Sequence, residues 1–183
     1  VANPYIISNI TANHVIVVTF AASVPPGLKQ MIQDVLRDLT ELRRNVTDKH
    51  DREKLDDAIK HLTKSLTPYC WEGDSHLDAK DGGKVFNEVK DALNKLDELT
   101  EDKKGSIPTA VLRGFINRLV DIGRQLAQTA ITGSSADNKD IAKAREELAS
   151  GDSDAAKGKY ESALEHYRNA WEQAGKSQGR RNQ

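Results

Sequence analysis

Only one cysteine, Cys70, occurs among the 183 residues. That excludes an intrachain disulfide framework and leaves too few thiols for a zinc or iron–sulfur cluster. Long apolar runs are missing as well. The longest, Val15 to Ala22, is broken by Thr19 and falls far short of the roughly 20 residues a membrane helix needs. Neither sign of charge dominates: Lys plus Arg total 27 against 28 for Asp plus Glu, a net charge of −1, so nothing favours nucleic acid as a partner. Catalytic motifs are equally scarce. No serine sits in a G-x-S-x-G elbow, and the five histidines (14, 50, 61, 76 and 166) form no H-E-x-x-H pattern and no C-x-x-C-H haem attachment. Gly82-Gly83-Lys84 lacks the glycine spacing and the trailing hydroxyl residue of a phosphate loop. The chain is therefore not expected to be an enzyme or to carry a cofactor, and surface positions are expected for the histidines. No basic segment followed by an apolar one opens the chain at Val1-Ala2-Asn3-Pro4, which reads as a fragment or a processed product of a longer protein.

What is present is mostly helical periodicity. With 37% hydrophobic residues, a chain of this length can bury one core. The expected fold is mainly α: an antiparallel bundle of five to six helices behind a short N-terminal β-hairpin or strand fragment. The first 22 residues differ in kind from the rest, with Tyr5-Ile6-Ile7 and Val15 to Phe20 reading as two strands around a turn. A lone hairpin is marginal in water, so these strands need other strands or the bundle to pack on. Residues 23–27, with Pro25, Pro26 and Gly27, form a linker that stops any ladder. The bundle proper is expected over 28–175, and residues 176–183 as a disordered tail.

Within the bundle, Leu28, Met31, Ile32, Val35, Leu39, Leu42 and Val46 predict a helix over about 27–46. A second carries Leu55, Ile59, Leu62 and Leu66 up to Pro68, and a third carries Val85, Phe86, Val89, Leu93, Leu96 and Leu99. The fourth, from Pro108 to Ile131, has the widest apolar stripe and is expected to be the most buried. Ser106 is placed to cap its start, and Gly114 and Gly123 to mark close packing against a neighbour. A fifth helix uses Ile141, Ala144 and Leu148; a sixth uses Tyr160, Ala163, Leu164, Tyr167, Ala170, Trp171 and Ala174.

The stretch Gly158 to Trp171 resembles the second helix of a tetratricopeptide repeat, with Gly158, Tyr160, Ala163, Leu164, Tyr167 and Ala170 at that family's spacing. Only one such half-repeat exists, so it is read as a local packing solution and not as a peptide-binding solenoid. The segment Trp71 to Phe86, followed by the hairpin Ile141 to Ala174, resembles a helical module at the C-terminal ends of large modular secreted proteins of bacteria and archaea. Tyr5 to Ala22, through Ile10-Thr11-Ala12-Asn13-His14 and Thr19-Phe20, resembles the closing strands of an internalin B-repeat-like extracellular β domain. These resemblances imply an extracellular or cell-surface location. They imply a non-catalytic accessory, attachment or structural interaction module, whose partners are other domains of its parent protein or a surface partner.

Two segments stand out as candidate sites. The loop 71–81 offers Glu72, Asp74, Asp78 and Asp81 as carboxylates, His76 as an imidazole and Trp71 as an aromatic platform. Such oxygens suit calcium, and the loop is a candidate calcium or carbohydrate site. The competing reading makes Ser75 and Asp78 a helix-start capping box and Trp71 a core anchor. Likewise, Tyr160, Tyr167 and Trp171 stack on sugars if exposed and form core if not. The second segment, Val15, Ile16, Val17, Val18 and Phe20, is a candidate for strand addition to another chain, which makes a homo-oligomer.

Overall fold

The computed structural model describes residues 27–102, 105–134 and 139–179. The expected N-terminal hairpin, the strand-addition segment Val15 to Phe20 and residues 180–183 lie outside them. Six helices fill the described residues: α1 (Leu28–Asn45), α2 (Lys49–Ser65), α3 (Gly83–Glu101), α4 (Thr109–Thr132), α5 (Lys139–Ala156) and α6 (Tyr160–Gly179). The fold is a mainly α bundle. Between α2 and α3 lies a 3₁₀ turn, Pro68–Cys70, followed by a minimal antiparallel pair, β1 (Trp71–Glu72) and β2 (His76–Leu77), with Trp71 opposite Leu77.

The apolar stripes read from the sequence are the buried faces. Ile32, Val35 and Leu39 of α1, Leu55 and Leu62 of α2, and Val85, Phe86, Val89, Leu93 and Leu96 of α3 are all buried. α4 is the centre, packing on α1, α3, α5 and α6, and its Leu112, Ile116, Leu119 and Ile122 have no exposed surface. Cross-helix pairs set the directions. Lys54 pairs with Glu98 and His61 with Glu88 between α2 and α3; Phe86 meets Trp171 and Lys90 meets Glu165 between α3 and α6. Ascending numbers on one helix face descending numbers on the other, so these neighbours are antiparallel. Connections of three residues join α1 to α2 and α5 to α6. The second of these turns at Gly158, whose φ of +75° is a left-handed conformation that side-chain-bearing residues rarely adopt.

Local expectations fail at four places, each for a physical reason. Ser106 does not cap α4: its N–H and hydroxyl both donate to Asp51 Oδ2 at 2.7 Å, because Asp51 is buried and its charge needs donors. α4 instead starts behind Pro108, with no side-chain cap. Gly114 packs against nothing, since a Cβ built there meets no atom within 4 Å, whereas Gly123 is pressed against Leu164. Ser75 does not begin α3; its hydroxyl oxygen accepts the N–H of Leu28 at 3.3 Å, while the Asp74 carbonyl accepts that of Lys29 at 2.9 Å. The hairpin turn thus caps α1, 47 residues earlier in the chain. Lastly, the expected tail from Gly175 onward continues α6 as far as Gly179, because each added residue of a formed helix closes one more hydrogen bond.

Candidate functional site

The 71–81 segment folds as the β1–β2 hairpin and the turn after it. Gly73, at φ +78°, supplies its tight turn. Trp71 is 7% exposed and donates its indole N–H to the Ser65 carbonyl at 2.8 Å. It is a core anchor, with little ring surface left exposed. The Lys29 ammonium lies 5.9 Å from that ring. The carboxylates do not converge. Asp78 Oδ1 accepts the N–H groups of Lys80 and Asp81 at 2.9 and 2.7 Å, and Asp81 pairs with Lys84 at 2.7 Å. That hydrogen bond from Lys84 holds the Asp81 carboxyl below, and the Lys84 ammonium above, their ordinary ranges. Glu72 and Asp74 are exposed. Among the described residues, the group of three metal-ligand side chains with mutually close donor atoms is His61, Glu88 and Asp91, away from this loop.

What the hairpin does form is one wall of a cleft of about 640 Å³. Glu72, Ser75, His76, Leu77 and Lys80 come from the hairpin and the turn after it; Gly83, Lys84 and Asn87 open α3; Leu126 and Ala130 come from α4; Arg168, Trp171, Glu172 and Lys176 come from α6. Trp171 is half-buried, tilted at 42° to Phe86 with ring centres 6.0 Å apart. Its indole lies over the pair Gly82 and Gly83. A Cβ on Gly82 would stand 2.8 Å from Trp171 Cζ2 and 2.5 Å from the Asp78 carbonyl oxygen. At Gly82 the indole and the preceding turn leave no room for a side chain, whereas a Cβ on Gly83 would make ordinary contact with the indole at 3.5 Å.

The cations of the cleft divide into two kinds. Arg168 is fixed by Glu172 at 2.9 Å and by Asn87 at 3.0 Å, and Lys84 by Asp81. Lys80 and Lys176, both exposed, make no side-chain ion pair among the described residues. Two further lysines are thus available to a ligand beside an aromatic face.

Cys70, the chain from Ser162 to Glu147, and Tyr167 do not line the cleft. Cys70 is buried, and burial pushes its thiol up from the ordinary value, away from the nucleophilic thiolate. Ser162, Asp154, His166 and Glu147 form a chain across the α5–α6 hairpin. The Ser162 hydroxyl donates to Asp154 at 2.6 Å rather than to the imidazole, and His166 Nδ1 meets Glu147 at 2.7 Å. A nucleophile needs its base as direct neighbour, so this order of groups ties helices together without activating the serine. Tyr167 is buried and donates its phenol to Asp152 at 2.9 Å, and burial together with that carboxylate pushes the phenol well above its ordinary value. Of the three aromatics on the α6 face, only Trp171 borders the cleft.

The fold and this site define a helical bundle with a mixed aromatic and cationic cleft at its hairpin end. No family model, curated protein or solved structure matches the chain. No helix among the described residues is long and apolar enough to cross a membrane.

Proposed function

We propose that this chain is a non-catalytic accessory module of a secreted or cell-surface protein, and that it attaches its parent to an acidic carbohydrate held in the cleft. The observation that carries this reading is the half-buried Trp171 indole in the wall of the cleft, beside Lys80 and Lys176. Pyranose rings present one apolar face that an indole can cover, and concave sites combine such apolar walls with a few placed polar groups. A carboxylate on the ring finds two exposed lysines that make no side-chain ion pair among the described residues. The secreted or surface setting rests on the resemblances of Trp71 to Phe86, of Ile141 to Ala174 and of Tyr5 to Ala22. Compared with a site built on Trp71 and the loop carboxylates, the stacking role passes to Trp171, and the hairpin keeps the role of a wall.

Isothermal titration with oligomers of a hexuronic acid, beside neutral oligomers of the same ring type, tests the reading. Binding of the acidic series is expected, weakening with salt as exposed charge pairs are screened, lost in Trp171→Ala and reduced in Lys80→Ala/Lys176→Ala. No heat with the acidic series, or equal binding by Trp171→Ala, sinks it.

A further inference from the structure

Apart from the cleft, two histidines among the described residues, His61 and His166, each face two carboxylates, and their geometries differ in a way that matters for a metal ion. His166 has Glu147 at its Nδ1, 2.7 Å away, and Asp154 at its Nε2, 3.7 Å away. The two carboxylates lie at different nitrogens of the ring, so one ion cannot be bound by all three groups. His61 is arranged otherwise. Its Nδ1 alone faces both Glu88 Oε2 at 2.6 Å and Asp91 Oδ2 at 3.7 Å. One donor atom from each of the three side chains lies within 4.8 Å of the other two, and all three residues are half-buried.

We propose that His61, Glu88 and Asp91 form a binding site for a divalent transition metal ion of the zinc type, clamping α2 to α3. The helical geometry sets up the ligands. Glu88 and Asp91 stand three residues apart and so share one face of α3, and the pairing of α2 with α3 brings His61 opposite them. One imidazole nitrogen with two carboxylate oxygens is a zinc-type donor set with a fourth position left for water; calcium and magnesium favour oxygen-only sites. Around a tetrahedral ion with bonds of about 2.1 Å, ligand atoms stand about 3.4 Å apart. The His61–Asp91 distance of 3.7 Å nearly meets that spacing. Glu88 must withdraw by about 0.8 Å, which rotation about its terminal bonds provides. Lys64 Nζ lies 3.9 Å from Glu88 Oε1, whereas Oε2 is the oxygen that faces His61, and Lys90 and Lys95 add positive charge near Asp91.

Titration of the full chain with zinc alone tests this, followed by calorimetry, and with cobalt(II) as a spectroscopic substitute. One ion per chain is expected. At a hundredfold excess over Kd, the melting temperature should rise by roughly 5–10 °C. Cobalt should give visible absorption bands. His61→Gln and Asp91→Asn should each weaken binding by about tenfold or more, while His166→Asn leaves it unchanged. Asp91 is the more exposed of the two carboxylates, so Asp91→Asn is the variant that leaves the fold intact, and circular dichroism checks this. Absence of binding, undiminished binding by His61→Gln or Asp91→Asn, or loss of binding in His166→Asn would overturn the assignment.

Discussion

Two aromatic residues one turn apart on α6, Tyr167 and Trp171, meet opposite fates. Tyr167 is sealed: its ring presses into the space left by Gly151 of α5, near Gly123 of α4, and its phenol ends on Asp152. Asp152 also accepts from Nε and Nη2 of Arg124, at 2.8 and 3.1 Å, so one carboxylate joins α4, α5 and α6. Trp171 likewise lies over glycines, Gly82 and Gly83, but one side of its ring faces the cleft. The difference lies in what the neighbouring elements supply. Around Tyr167 three helices close a polar network in which every group is satisfied; around Trp171 a hairpin and three helix segments meet without filling the space between them. The first arrangement holds the bundle together, and the second leaves a surface that a ligand can use.

Replacing each ring separates these roles. Tyr167→Ala should have the largest effect, about 3–5 kcal/mol lost from unfolding free energy, because removing a fully buried aromatic leaves a cavity. Trp171→Ala removes a ring that is only half-buried and should cost about 2 kcal/mol, while abolishing occupancy of the cleft. Chemical denaturation measures both. Equal losses would erase the distinction between a sealed and an open half of α6. A smaller effect is expected from Gly151→Ala. The new Cβ would stand 2.4 Å from Tyr167 Cε1 and 2.6 Å from Cδ1. A buried ring cannot move aside freely, so a net loss of about 1 kcal/mol is expected, the overpacking outweighing the better helix propensity of alanine.

The sealed half was the legible half. Ala163, Leu164, Tyr167, Ala170 and Ala174 stand at helical spacing, and each is buried. Periodicity reports which side of a helix faces its neighbours, and that decides the bundle. The cleft was not legible for the same reason. Trp171 falls on the stripe of Tyr167, and no periodic signal separates a residue facing a neighbouring helix from one facing a gap between elements. The trace of it lay in Gly82, a glycine with an ordinary φ of −61° at the start of a helix, where the crowding comes from the indole and the turn rather than from the backbone conformation. The hairpin was misread for a second reason: Ser75 and Asp74 serve Leu28 and Lys29, and a capping contact across 47 residues leaves no mark at short spacing. His61 and Glu88, 27 residues apart, were hidden in the same way until the pairing of α2 with α3 brought them together.

The two glycines inside α4 provide the finest test, because they are chemically identical and structurally opposite. At Gly123 a Cβ would meet Leu164 Cδ2 at 2.4 Å, with the Tyr167 ring at 3.6 Å. Leu164 is 1% exposed, so its methyl can withdraw only by disturbing the packing around Tyr167. At Gly114 nothing lies within 4 Å, and the residue is exposed. Gly114→Ala should therefore stabilise by about 0.5–1 kcal/mol, through a smaller loss of backbone entropy on folding. Gly123→Ala should destabilise by about 1 kcal/mol, the overpacking outweighing the same entropic gain. In a domain of this size that predicts melting temperatures shifted in opposite directions by roughly 2–4 °C per kcal/mol. A rise in both would mean that α6 can move away from α4 at low cost, and that the half of the helix around Tyr167 is as open to adjustment as the half around Trp171.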